Sequence, residues 1–282
     1  MRLRVVLATF AALAVLAAGG IYFVVHSLSS GLPIKLPVQE CVVTANGTAT
    51  FNPEQMANAA TIAAVGIRRG LPDQAIVVAL ATAEQESKLE NVRGGDRDSV
   101  GLFQQRPSQG WGTAEQLMDP RYATTKFYDA LLKVKNWQQL SVAQAAQTVQ
   151  RSAYGSAYAR WETKARVLTS ALTAEVTGAV GCTILDQPTA RGSAAATALA
   201  DGLAADWGTV RAVDRPGLVG LALAVTDQRV GWQYAHWLVA HAADQNIRTV
   251  RYADQVWTAT AATWNHSGSA DHVDGVVAEV WS

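Results

Sequence analysis

The chain has 282 residues, nearly half of them hydrophobic and 16% charged, which is long enough for two modest folded domains and too apolar for a disordered chain. Its 23 basic residues balance 23 acidic ones, so net charge offers no reason to expect a nucleic acid partner. Between Phe51 and Val180 there is no histidine and no cysteine. That stretch therefore lacks the imidazole that activates a serine nucleophile and the commonest zinc ligands, and carboxylates remain its strongest acids and bases.

In chain order, Arg2 and Arg4 precede an uncharged apolar run from Val5 to Val25. About 20 such residues suffice to cross a bilayer as a helix, and the basic flank favours a cytoplasmic N-terminus. Ile21 to Val25 extend the apolar run beyond the small residues Ala17 to Gly20, which favours a retained signal anchor over residues 1–26 rather than a cleaved signal peptide. Either reading exports everything after His26: the retained anchor gives a single-pass membrane protein with its bulk outside the cytoplasm, and cleavage would give a secreted one. Residues 27–50 are read as a stalk, with Pro33 and Pro37 discouraging regular structure. The only cysteines, Cys41 and Cys182, bracket the region that follows, and an even count in an exported chain predicts a disulfide between them.

Asn52 and Pro53 start a predicted helix that reaches Arg69 and stops at Gly70. A second runs from Pro72 to about Leu89, with Ile76, Val77, Leu80, Ala83 and Ser87 recurring at three- and four-residue steps. Glu86 sits near its end over Ala79, Thr82 and Ala83. Such neighbours leave room for a sugar and partly desolvate the carboxyl group, the setting in which an acid holds its proton near neutral pH. Glu84 lies about 200 degrees around the helix, on another face. A glycine- and aspartate-rich loop follows, and Asp96 and Asp98 in it read as turn chemistry before they read as a second acid. Trp111, within Ser108-Gln-Gly-Trp-Gly, is equally suited to stack on a sugar face and to anchor its loop. Further helices are predicted over Leu117–Val134, Val142–Ser152 and Tyr158–Thr177, with Trp161 in the core.

After a linker over residues 183–194 the pattern changes. A helix from Ala195 to Trp207, a strand from Leu218 to Val225, a helix from Val230 to Asp244, and strands near Thr249–Tyr252, Gln255–Thr258 and Val273–Trp281 describe a small α+β unit over residues 195–282. The fold class is thus α+β: an N-terminal transmembrane helix, a mainly α domain over residues 51–182, and this C-terminal unit.

The text AEQESKLENVRGGDRDSVGLFQQ, from Ala83 to Gln105, resembles the lysozyme-like fold of lytic transglycosylases and goose-type lysozymes, in which a helix-borne Glu-Ser pair precedes a Gly-Leu-Met-Gln-like loop. Ser99 to Thr113, Asp119-Pro120-Tyr122 and Val149 to Glu162 are similar to a lysozyme-like domain of exported actinobacterial proteins. The resemblance covers somewhat under half the chain. It implies Glu86 as the catalytic acid and base, Ser87 as a residue positioning the site, and Gln104 or Gln105 as a cleft-lining hydrogen-bond group. It also implies a cleft tyrosine, for which Tyr154 and Tyr158 compete. With the Trp111 assignment, Ser87, Gln104, Gln105, Trp111, Tyr154 and Tyr158 form the candidate substrate-binding set. In the family one glutamate suffices: it protonates the oxygen leaving MurNAc, then takes the proton of the attacking C6 hydroxyl, giving a 1,6-anhydro end, whereas a hydrolytic muramidase activates water instead.

The segments GWQYAHWLVAHAADQNIRTVRYADQVW and Ala270-Asp-His-Val-Asp-Gly resemble a C-terminal domain distantly like D-alanyl-D-alanine carboxypeptidases, but Asp274 stands where relatives carry a second histidine. His266, Asp271, His272 and Asp274 make a poor zinc set, and His236 and His241, five apart on a helix, do not share a face. No metal or cofactor is expected. The expected function is cleavage of peptidoglycan glycan strands at the bacterial cell membrane, with peptidoglycan and the membrane as partners. The alternative is a catalytically inactive wall-binding or secretion-assembly scaffold, with cell-wall or secretion-complex proteins as partners.

Overall fold

A computed structural model describes residues 38–151, 155–268 and 273–282. The anchor over residues 1–26, the stalk up to residue 37, Tyr154, Asp271 and His272 lie outside the described residues.

The first strands come where a stalk was expected. Glu40–Thr44 (β1) and Thr48–Phe51 (β2) form an antiparallel hairpin, and Val180–Thr183 (β3) pairs with the other side of β1. The stalk reading fails for residues 40–50 because Cys41 and Val43 alternate inward and are fully buried, a period-2 pattern too short to stand out in sequence. Cys41 faces Cys182 across the β1–β3 ladder and is bonded to it.

Helix Pro53–Arg68 (α1) starts as its sequence suggests: Asn52 caps it, and Gln55 closes the capping box. The middle of Asp73–Ser87 (α2) is apolar on every side, and Ala75 to Leu80 are buried to within a few per cent. A helix apolar all round belongs in the middle of a bundle. Ala114–Leu117 (α3) packs on Pro120–Leu131 (α4), and around α2 pack α4, Val142–Gln150 (α5), a 3₁₀ turn over Gly155–Trp161, and Glu162–Leu172 (α6). The helix expected over Leu117–Val134 is broken at Met118–Asp119, because the Asp119 carboxylate caps a new helix with Pro120 in its first turn. The helix expected from Tyr158 starts only at Glu162.

The remaining residues alternate helix and strand: Gly192–Trp207 (α7), Gly220–Leu223 (β4), Gln228–Ala240 (α8), Ile247–Ala253 (β5), Gln255–Thr258 (β6), Asn265–His266 (β7) and Val273–Val280 (β8). The sheet order is β4-β8-β5-β6-β7, with antiparallel neighbours throughout. Helices α7 and α8 cover one face, packing on β4, β5 and β8. The architecture is mixed α+β. Residues Gln39–Ser282 make one compact unit, and a single core runs from Val43 through α1, α2 and α8 to Val280. No described helix is long and apolar enough to cross a membrane.

Candidate active site

The end of α2 is turned abruptly. Lys88 and Leu89 follow Ser87 with φ of 60 and 63, two consecutive left-handed residues of which neither is glycine. Such a conformation costs roughly 1–2 kcal/mol per residue, and here it returns the Leu89 N–H to the Ala83 carbonyl and drives the Leu89 side chain fully into the core. The loop that begins there stays against the helix it has left.

Glu86 is half-buried on the last turn of α2. Tyr158, 72 residues away in the 3₁₀ turn and only 1% exposed, donates its hydroxyl to Glu86 Oε1 at 2.5 Å. The neighbouring residues take other partners. Gln85 accepts from Trp161 Nε1 at 2.8 Å, and Lys88 Nζ stands 4.1 Å over the Trp161 ring. Trp161 is therefore half-buried at the rim of the site, not in the core. Glu84 faces away from Glu86, as its helical position requires, but it is 4% exposed rather than solvated: Lys164 Nζ pairs with it at 2.7 Å. Burial lowers the Lys88 pKa most; Arg160 and Lys164 lower it further, against the opposing pull of Glu84 and Glu86.

The GLFQQ segment is held by its backbone. Ser87 Oγ donates to Leu102 O at 2.8 Å, and Gln150 Nε2 donates to Phe103 O at 2.7 Å. Two successive carbonyls are thus clamped between α2 and α5. Gly101 (φ 76) lies so close to the Leu117 carbonyl that a β-carbon would collide with it. Leu102 and Phe103 enter the core, Phe103 stacking on Phe127 with centroids 4.6 Å apart. Gln104 is half-buried and donates to Gly101 O. Gln105 does not line an open cleft: it is 2% exposed and donates to Ala123 O on α4 at 3.2 Å. Ser87, too, is buried with its hydroxyl spent on backbone, so it braces the site without facing a ligand.

Of the loop acids, Asp98 is fully engaged. It accepts from Arg106 Nε, Ser108 N and Ser108 Oγ at 2.7, 2.7 and 3.0 Å, and these bonds, the Ser108 backbone bond first, hold its pKa far below the usual carboxylate range. Asp96 stays exposed. Trp111 packs against the core, as a loop anchor would, and also lines a cleft of about 730 Å³. Lys133, Lys135, Gln150 and Arg151 share that cleft, and no acidic residue lines it among the described residues. Gln150 joins its wall to the GLFQQ loop through Phe103 O.

In the C-terminal part, His236 and His241 sit in separate buried networks. His236 Nε2 accepts from Ala179 N while its Nδ1 meets Ala171 O, the pattern of a neutral ring. His266 is exposed beside Asp254, and no metal-ligand cluster occurs among the described residues.

No protein-family model matches the chain, and no curated protein is significantly similar to it. Lys164, Gln85 and Gln150 were not singled out in sequence, and Trp161 was read only as a core residue. Their roles depend on contacts across 47 to 80 positions, for which no local pattern exists.

Proposed function

We propose that the chain is a membrane-anchored, extracytoplasmic enzyme that cleaves peptidoglycan glycan strands, with Glu86 as the acid and then the base. The reading rests above all on the Tyr158 hydroxyl bound to Glu86 at the strained end of α2, beside a loop whose backbone is clamped on two sides. A phenol can donate to the carboxylate and accept from the carboxylic acid, so it orients Glu86 in both protonation states that general acid–base catalysis needs. The cationic, tryptophan-bearing cleft fits a polymer of sugars and carboxylates.

Product chemistry follows from the carboxylates available. Asp98 has its oxygens committed to Arg106 and Ser108, and Glu84 is paired with Lys164, so neither is free to activate water. Asp96, exposed in the same loop, is the loop carboxylate left to activate water; internal attack by the C6 hydroxyl, which needs Glu86 alone and gives a 1,6-anhydro product, is the proposed route. The test is digestion of purified wall by the full chain, with mass analysis of the released ends. Anhydro ends support the reading in full, and reducing ends would replace transglycosylation with hydrolysis. No product, with wall still bound, would replace the enzyme with a scaffold.

A further inference from the structure

The face of the five-stranded sheet opposite α7 and α8 carries an arginine-lined cleft far from Glu86 in the chain. Val276, Ala278 and Val280 of β8 point into the main core, whereas Val277 and Ala222 point the other way and form a separate small cluster with Leu218. Over them lies the turn Arg215-Pro216-Gly217-Leu218, closed by Leu218 N–H to Arg215 O at 3.0 Å, with Gly217 at the φ of 80 that the third position of a type II turn requires. Together they bound a cleft of about 380 Å³.

Two guanidiniums reach it through an irregularity in β5. Arg248 and Arg251 are three positions apart, so a regular strand would send them to opposite faces. The ladder to β8 slips between Ile247 and Thr249, leaving Arg248 as the extra residue. A bulge of this kind re-aims a side chain. As a result both arginines meet the same carboxylate, Glu279, whose Oε2 accepts from Arg248 at 2.8 Å and whose Oε1 accepts from Arg251 at 2.7 Å. Arg215, exposed on the turn, completes the rim and has no ion pair among the described residues. Ser282 also lines the cleft, and its carbonyl is taken by Arg191. Three arginines therefore line a cleft with one side-chain carboxylate, Glu279, which holds two of them in place and leaves most of their N–H donors unspent.

We propose that this cleft binds an acidic peptide, with a ligand carboxylate seated among Arg215, Arg248 and Arg251 and apolar ligand side chains against Leu218, Val219 and Val277. Arginine pairs suit planar carboxylates through forked hydrogen bonds, and Val219, 40% exposed, supplies unsatisfied apolar surface at the rim. The inference stands apart from the reading of Glu86.

Titration calorimetry on the full chain tests it with three probes: the peptide Val-Glu-Val-Glu with free carboxylates, the same peptide with every carboxylate amidated, and inorganic phosphate. The acidic peptide is expected to bind one to one, and at least tenfold more weakly to Arg215→Glu and to Arg248→Gln, while the amidated peptide fails to bind. Circular dichroism checks both folds; Arg215 lies on an exposed turn, so Arg215→Glu decides the matter if Arg248→Gln unfolds. Equal binding of the amidated peptide, unchanged affinity in the variants, or no binding at millimolar peptide would overturn the proposal. Displacement by phosphate at comparable concentration would assign the cleft to small anions instead and overturn it equally.

Discussion

Glu86 and Glu84 lie two positions apart on α2 and have opposite fates. Glu86 keeps one face toward solvent and takes a phenol; Glu84 is sealed in against Lys164, whose ammonium also stands 4.3 Å over the Phe51 ring. Glu86→Gln removes the transferable proton at nearly constant shape. Turnover should fall by at least the roughly 100-fold typical of a lost general acid, with the melting temperature unchanged, as read by muropeptide release and calorimetry. Tyr158→Phe keeps the buried ring and deletes only the hydroxyl, so a smaller loss of about tenfold is expected, the size of one hydrogen bond to a charged group. Glu84→Gln should behave in the reverse way. Breaking a buried ion pair costs roughly 3–5 kcal/mol. Because Lys164 is 28% exposed, about 1–3 kcal/mol is the better expectation. Urea unfolding should record that loss while activity per folded molecule stays within a few fold, and Glu84→Gln/Lys164→Met should recover most of the stability. A Glu84→Gln protein as stable as wild type would show the pair to be idle.

The loop between α2 and α3 is the element on which the site depends, and it is ordered by side chains rather than by secondary structure. Asp98 organises its far half by gathering Arg106 and Ser108, so the Pro107–Gln109 turn is presented at a fixed angle before Trp111. The folded-state pKa of Asp98 lies below its unfolded value near 3.9, so its contribution is present above that value and is lost as pH falls toward the folded pKa. Hydrogen exchange at the Ser108 amide should accordingly stay protected, relative to its intrinsic rate, down to about pH 4 and lose protection below it. Asp98→Asn should show weakened protection at every pH, and unchanged protection in that variant would remove Asp98 from the role.

Across the whole molecule, two devices tie distant segments together. The Cys41–Cys182 bond joins residues 141 positions apart, and in the chain-entropy model closing so long a loop stabilises the fold by roughly 4–5 kcal/mol. Cys41→Ser/Cys182→Ser should shift the urea midpoint down accordingly, and a shift under about a fifth of that would show the bond to be dispensable. The second device is polar. Asp206 on α7 is fully buried, pairs with Arg121 Nε of α4 at 2.6 Å, and accepts from Thr61 of α1 and Trp237 of α8 at 2.8 and 2.7 Å. His241, at the end of α8, contacts Asp206 at 3.7 Å and Asp244 at 3.0 Å. Burial opposes its protonation, but the two carboxylates outweigh burial and the repulsion of Arg121, and its pKa is raised. His236 has only burial acting strongly on it, and its pKa is lowered to about 4. The signs oppose. His241 contributes stability that is full below about pH 6.5 and is lost as pH rises through its folded pKa; His236 contributes stability that is full above about pH 6.5 and is lost as pH falls toward 4. Melting temperature against pH should therefore peak near neutrality, with His241→Gln flattening the alkaline limb alone. A limb unchanged by that substitution would rule out His241 as its source.

What the sequence determined by itself was local. Asn52-Pro53 and Asp119-Pro120 mark helix starts because capping is decided within one turn, although reading Leu117–Val134 as a single helix overlooked that the second pair also ends the helix before it. The position of α2 and the choice of Glu86 over Glu84 as the outward carboxylate follow from a period of 3.6 residues, and the α+β class from the short apolar strand runs after the linker. The disulfide followed from having two cysteines. Strands β1 to β3 were illegible because four or five residues carry too short an alternation to separate from a polar segment, and the pairing of β1 with β3 joins residues over 130 positions apart. The same reason hid the inward turn of Gln105, the burial of Glu84 and the convergence of Arg248 and Arg251. A helix face can be read from spacing, but whether that face meets water, lysine or backbone is set by what packs against it, and only the tertiary structure decides that.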